Sequence, residues 1–161
     1  MITFRPMQAQ EFAAYRAYFV PDYARDLVEN RGLTLVEASQ KAAADLDAAF
    51  PDGPQTDAGQ TSRQSMLCIL RPKSQIIGYL WYEPQRDGEV AFIQDFHILP
   101  AFQGLGLAKA TIFAFEARAK TEGFKQIRLR VAPENAVALH VYTESGFRIG
   151  GIQMVKSLLP G

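Results

Sequence analysis

The chain has 161 residues, 17 Lys plus Arg against 17 Asp plus Glu, and one cysteine. Zero net charge leaves no surplus of basic side chains to neutralise a polyanion, which argues against a general nucleic-acid binder. Cys68 alone rules out an intrachain disulfide, and His97 and His140 stand without metal-ligand spacing, so no metal site is expected.

The opening Ile2-Thr3-Phe4-Arg5 alternates as a half-buried strand does and ends at Pro6. No signal-peptide core precedes it and no apolar run approaches the ~20 residues of a membrane span, so the default expectation is a cytoplasmic protein with no membrane partner. Residues 8–19 read as a helix, with Phe12, Tyr15, Tyr18 and Phe19 near helical spacing. Pro21 is expected to break or kink it, with a second piece from Asp22 to Glu29 stopped at Asn30-Arg31-Gly32. Thr34 and Glu37 fit a capping box for a helix to Phe50, with Leu35, Ala38, Ala42, Leu46 and Phe50 on one stripe. Residues 51–62 are turn-rich and read as an exposed loop.

Three strands follow, Ser65–Leu70, Gln75–Tyr82 and Glu89–Leu99. The tight turns between them predict an antiparallel meander. The pattern turns helical from Gly104 to about Thr121 and stops at Gly123. A strand at Gln126–Val131 and a short helix at Asn135–Glu144 come next. Phe147–Ile149 and Ile152–Leu158 are expected as two last strands around a Gly150-Gly151 hairpin. With this length the whole, 1–161, is expected to be one domain.

The stretch Phe96–Ala108, FHILPAFQGLGLA, carries the chemistry. Glycines between a strand and a helix let the backbone approach an anion, and the first helical N–H groups then point at it. The N–H groups of Gly104, Leu105, Gly106, Leu107 and Ala108 are therefore expected to hold the pyrophosphate of a nucleotide-like cofactor. Lys109 stands where a dinucleotide fingerprint needs a third small residue, three strands precede the turn, and the Gly-Lys-Ser/Thr of a Walker A loop is absent.

A second constellation decides among the remaining cofactors. Residues 135–147 read NAVALHVYTESGF. Gln103, Gly106 and Ala108 match Arg/Gln-x-x-Gly-x-Gly/Ala, and Asn135, Ala138, Tyr142, Gly146 and Phe147 match Asn-x-x-Ala-x-x-x-Tyr-x-x-x-Gly-Phe. Together, in this order, they resemble the GCN5-related N-acetyltransferases. The clear resemblance covers about 75–158; more faintly, FRPM and YLWY look like a bacterial branch of unassigned substrate.

The resemblance implies an α/β (α+β) fold with a mixed, mostly antiparallel sheet flanked by helices and strands splayed at the acetyl-CoA site. It implies acetyl-CoA as cosubstrate, held by residues 75–158, with 8–62 as the variable acceptor side. The backbone of Phe96, His97 and Ile98 is expected beside the pantetheine, the Ile98 N–H on the thioester carbonyl, and Asn135 on the pantetheine amides. The acceptor is expected to be a primary amine, small-molecule or peptide, attacking directly. Tyr142, about two helical turns past Asn135, is the expected acid for the leaving thiolate.

On the strand AFIQDFHI, Gln94 fills one position where relatives carry a basic glutamate and Asp95 fills the next. Asp95 and His97 alternate onto one face, where they could cooperate; Asp95 is a candidate base or amine-binding group, with His97 and a water chain as the other routes for the proton. The relatives' other base position holds Arg130. Tyr15, Tyr18, Phe19, Tyr23, Trp81, Tyr82 and residues 51–62 are candidates for shaping acceptor specificity. At helical spacing such aromatics are more often core. Cys68 reads as a small buried hydrophobe. The faces of the C-terminal strands offer a surface for a homodimer. Two other readings stand beside the first: a non-catalytic acyl-CoA-binding module, and a transferase of a longer acyl group.

Overall fold

A computed structural model describes residues 1–54 and 63–160. The strands are β1 (Thr3–Pro6), β2 (Ser65–Arg71), β3 (Gln75–Gln85), β4 (Val90–Ile98) and β5 (Gln126–Leu129). The helices are α1 (Phe12–Arg31), α2 (Leu35–Ala49), α3 (Leu107–Thr121) and α4 (Ala136–Glu144). The sheet runs β1-β2-β3-β4-β5, antiparallel throughout except that β4 and β5 are parallel. This is the mixed α/β architecture expected. Positive φ at Lys73, Ser74, Arg86 and Asp87 makes the two tight turns that reverse the meander.

Each sheet face has its own core. Met66, Cys68, Leu70, Tyr79 and Trp81 pack against Tyr15 and Phe19 of α1 and against Leu46 and Phe50 at the end of α2. Leu67, Ile69, Leu80, Tyr82, Ala91 and Ile93 pack against Ile112, Phe115 and Ala119 of α3. The period-2 alternation of β2 thus feeds two layers at once. The segment 55–62, most of the loop expected to shape specificity, lies outside the described residues.

Three sequence expectations are corrected. Pro21 does not break the first helix, and α1 runs through it for 20 residues to a left-handed Gly32 at φ 70°. Proline removes the N–H that would bond the Ala17 carbonyl, but Pro21 and Ala17 are both exposed, so water can satisfy that carbonyl. The capping box of α2 forms, Glu37 N donating to Thr34 Oγ1 at 3.2 Å and Thr34 N to Glu37 Oε2 at 2.9 Å. Its stripe begins only at Ala38, because Leu35 is exposed.

The two C-terminal strands are the third correction. Residues 147–158 have no regular secondary structure, and Ile149, Ile152, Met154, Val155 and Leu158 are exposed. Alternation alone does not make a strand: among the described strands β5 pairs with β4 only, and residues 147–158 do not take up its other edge. The strand faces expected to offer a dimer surface are therefore not formed as strands. No described helix is long and apolar enough to cross a membrane.

Candidate active site

The candidate site lies at the end of β4, where the sheet opens. β4 and β5 pair from Val90–Gln126 to Ile93–Leu129, and the pairing stops there while β4 continues to Ile98. On its other side β4 stays paired to β3 as far as Gly78–Ile98. The Leu99 N–H donates to the Ile77 carbonyl at 2.8 Å. Backbone groups alternate along a strand, so the Ile98 N–H points the other way, into the gap left by β5. The gap thus exposes a strand edge to which an amide-bearing chain can bond.

A bulge sets which side chains face this gap. Trp81 pairs with Asp95 and Tyr82 with Ile93, which leaves Gln94 without a partner in the ladder. One extra residue reverses the alternation. Phe96 and Ile98 therefore join Ala91 and Ile93 on the α3 side, while Asp95 and His97 turn to the α1 side. Without the bulge, Asp95 would point into the apolar layer under α3.

On the α1 side Asp95 meets two phenols. Tyr15 Oη donates to Asp95 Oδ2 at 2.8 Å, and Tyr18 Oη donates to Oδ1 at 3.3 Å. The Tyr18 ring lies flat on His97, with centroids 3.7 Å apart and an interplanar angle of 12°. Burial pushes the Asp95 carboxyl up to about 7; the charge of Asp22 adds to the rise, and the two phenols and the Phe96 N–H oppose it. Burial also lowers His97, so its imidazole is neutral near pH 7.

Tyr142 stands on the other side of β4, among the α3-side core residues. Its ring centroid is 6.4 Å from Phe96 and 5.5 Å from Phe147. Burial, with the charge of Asp95 second, raises its phenol above the usual tyrosine value, so it stays protonated through neutral pH. Asp95 and Tyr142 thus reach the open end of β4 from opposite faces of the sheet, a carboxyl that titrates near neutrality and a phenol that does not.

The turn after β4 has the backbone of an anion cradle. Gly104 and Gly106 both take φ 75°, and nothing lies within 4 Å of where a Cβ would stand on either. Gly106 precedes the first residue of α3, so the N–H groups of Leu107, Ala108 and Lys109 have no intrahelical acceptor. Among the described residues, the open turn and these donors fit a phosphate group.

Two other expected contacts are partly engaged within the chain. The Gln103 side chain donates to the Ile98 carbonyl at 2.8 Å, tying the turn to the strand end. Asn135 caps α4 by accepting from the Ala138 N–H at 3.1 Å, which leaves its side-chain NH2 as the group available to a ligand.

Not every candidate lies here. Phe19 is a core residue, 7% exposed. Trp81 is buried between Phe19 and Phe50. Tyr82 faces α3, and its hydroxyl donates to Glu122 at 2.8 Å. Tyr23 donates to Asp45 at 3.2 Å. Arg130 pairs with Asp26 at 2.9 Å. Cys68 is buried as expected, with burial pushing its thiol to about 12. The direct partnership of Tyr15 and Tyr18 with Asp95 is not apparent from the sequence. Its one sequence signal is the spacing of Tyr15, Tyr18 and Asp22, which puts all three on one helix face.

A family model described as the Acetyltransferase (GNAT) family matches residues 22–147. The chain is 29% identical over 160 residues to the uncharacterized N-acetyltransferase YycN of Bacillus subtilis, covering 98% of this chain and 99% of YycN. It is 27% identical over 158 residues to a second such protein of the same organism, YdgE, covering 97% and 98%. The crystal structure of YycN matches with a TM-score of 0.87 at 26% identity, covering 99% of this chain and 100% of that one. The spermidine N-acetyltransferase of Vibrio cholerae, solved with CoA and spermine, shares the fold at a TM-score of 0.68 and 19% identity, covering 99% and 88%.

Proposed function

The chain belongs to the GNAT family of acetyltransferases, and from that premise we propose that it moves an acetyl group from acetyl-CoA to a primary amine by direct attack. The observation that carries this reading is the open end of β4, with Asp95 and Tyr142 on opposite sides and the glycine turn beyond it. We take the whole of 1–161 as one acetyltransferase domain, with 75–158 on the cosubstrate side and 8–62 on the acceptor side.

Acetyl-CoA supplies the thioester; the chain supplies everything around it. The N–H groups from Gly104 to Ala108 bind the pyrophosphate, aided by the positive end of α3. The exposed edge of Phe96, His97 and Ile98 bonds the pantetheine amides, with the Asn135 NH2 as a further donor. The Ile98 N–H donates to the thioester carbonyl oxygen, where negative charge develops.

Asp95 takes a proton from the acceptor ammonium. A carboxyl near 7 is ionised in about half the molecules at neutral pH and is a stronger base than an ordinary aspartate. As the nitrogen bonds the carbonyl carbon and the C–S bond breaks, Tyr142 gives its proton to the departing sulfur, and the second proton shed by the nitrogen restores the phenol, so the net proton leaves through Asp95. The aromatic surroundings that raise both groups also keep water from competing for the acetyl group.

The deciding experiment is a thiol-release assay with acetyl-CoA over a panel of primary amines, beside calorimetric titration with CoA. Binding together with amine-dependent thiol release supports the reading. Binding without release on a broad panel supports a non-catalytic acyl-CoA module, and no binding removes the assignment. A longer acyl-CoA run in parallel fixes the chain length.

A further inference from the structure

The two phenols on Asp95 are not equivalent. Tyr15 is fully buried and held by ring contacts to Phe12, Tyr18, Phe19 and Tyr79, with centroids 5.3–6.3 Å apart. Its bond to Oδ2, at 2.8 Å, is of normal length. Tyr18 is half-buried, its bond to Oδ1 is 3.3 Å, and one face of its ring rests on His97. A flat stack tolerates lateral offset better than a bond tolerates stretching, so the Tyr18 hydroxyl is the donor that can leave.

We propose that the Tyr18 hydroxyl holds the place of the acceptor ammonium at Asp95 Oδ1, and that the incoming amine displaces it and then donates to it. This rests on the reading of Asp95 as the acceptor-side carboxylate. The chemistry favours the exchange. An ammonium forms a charge-assisted bond to a carboxylate, shorter and about twice as strong as a neutral phenol's. Once displaced, the Tyr18 oxygen offers lone pairs to a second N–H of the same nitrogen. Tyr15 stays on Oδ2 and fixes the carboxylate plane throughout.

The charges around Asp95 agree. Asp22, one helical turn beyond Tyr18, is the other carboxylate felt at Asp95, and it also acts on Tyr15, Tyr18 and His97. The remaining titratable neighbours are Tyr15, Tyr18, His97 and, across β4, Tyr142, all neutral near pH 7. The largest influences on Asp95 include no cation, and Asp22 is itself paired with Arg25. The position opposite Oδ1 therefore suits a positively charged ligand and is held by a neutral one. The ligand class is an unhindered primary alkylammonium, since its nitrogen must fit where one phenolic oxygen sat.

Tyr18→Phe tests this, because it keeps the ring on His97 and removes only the hydroxyl. The amine KM is expected to rise about three- to tenfold, because the lost charge-assisted bond from the ammonium to the displaced hydroxyl outweighs the neutral bond that no longer has to be broken, with the acetyl-CoA KM unchanged. The alkaline-rising limb of kcat/KM is expected to move to higher pH, because Asp95 loses a donor that favours its charged form. An unchanged amine KM and profile, or an equal rise in the acetyl-CoA KM, overturns the proposal.

A second readout needs no turnover. With 13C-labelled aspartate carboxyls and tyrosine Cζ, n-butylamine is expected to shift Asp95 and Tyr18 saturably and leave Tyr15 in place. That shift in a protein that transfers no acetyl group leaves this proposal standing while the acetyltransferase reading falls. No shift at Tyr18 overturns it.

Discussion

Tyr15 and Asp95, 80 residues apart in sequence, are joined by a 2.8 Å hydrogen bond across the interface of α1 and β4. The bond lies in a layer of aromatic rings, so Asp95 is held in place and desolvated together. Burial pushes its carboxyl up to about 7, and the proposed mechanism needs it ionised. The kcat/KM for the amine should therefore rise with pH and level off through an inflection near 7. Tyr142 stays protonated well past that range, so no falling limb belonging to the acid is expected below about pH 10. Asp95→Asn should remove the inflection and lower the rate roughly a hundredfold or more. A pH–rate profile of both proteins checks this.

The same group makes stability depend on pH. The folded-state value of Asp95, about 7, lies above its ordinary 3.8. Between those values the folded chain keeps a proton that the unfolded chain releases. The stability Asp95 contributes is thus fully present below pH 4, falls as pH rises, and is lost above 7. Relative to the native protein, Asp95→Asn should gain stability between pH 5 and 8, on the order of a few kcal/mol. Urea unfolding of both proteins at pH 5 and 8 measures the difference.

Much of this was legible in the sequence because it is local. The capping box at Thr34–Glu37, the turns at 71–74 and 86–88 and the glycines at 104 and 106 are each decided within a few residues. What was not legible depends on tertiary context. Pro21 stays helical because the carbonyl it frees faces water. The C-terminal alternation forms no strand although β5 has a second edge, because its apolar residues find no packed face and stand exposed. The placement of Asp95 and His97 on one face was expected, but the face they share is set by the Gln94 bulge. The bulge depends on the register with β3, which no window of β4 contains.

Tyr142→Phe separates chemistry from binding. The substitution removes the hydroxyl and keeps the ring against Phe96 and Phe147, so the fold should be unaffected. Acetyl transfer should fall about a hundredfold, the usual contribution of a positioned acid, while calorimetric CoA binding stays within about twofold. Native turnover in the variant would return Tyr142 to a packing role.

Gly106→Ala addresses the turn. At φ 75° an alanine pays about 1 kcal/mol of backbone strain, although its Cβ meets no atom of the chain. The methyl group would stand in the open space beside the first N–H groups of α3, where the pyrophosphate is proposed to bind. CoA affinity should fall about tenfold or more, while the pH inflection of Asp95 stays where it is. Calorimetry with CoA and the pH–rate profile read the two effects separately.

Gly78 controls the strand end from the opposite edge. A Cβ built there would lie 2.1 Å from the His97 carbonyl oxygen and 3.1 Å from both the His97 carbonyl carbon and the Ile98 Cα. All three are backbone atoms of β4, so no side-chain rotamer relieves the overlap. Gly78→Ala must push β4 away from β3 at the residues that carry the Ile98 N–H and the His97–Tyr18 stack. Overpacking of this kind destabilises by about 1–3 kcal/mol, a fall in Tm of roughly 3–10 °C in a chain of this size. Transfer should suffer more than stability does, because a displacement of about 1 Å at the reacting centre can remove a hundredfold in rate. CoA binding should weaken less, since the glycine turn lies past the displaced segment. Thermal unfolding, CoA calorimetry and thiol release on the one variant order the three effects, and an unchanged Tm would show that β3 and β4 are not in the close contact described.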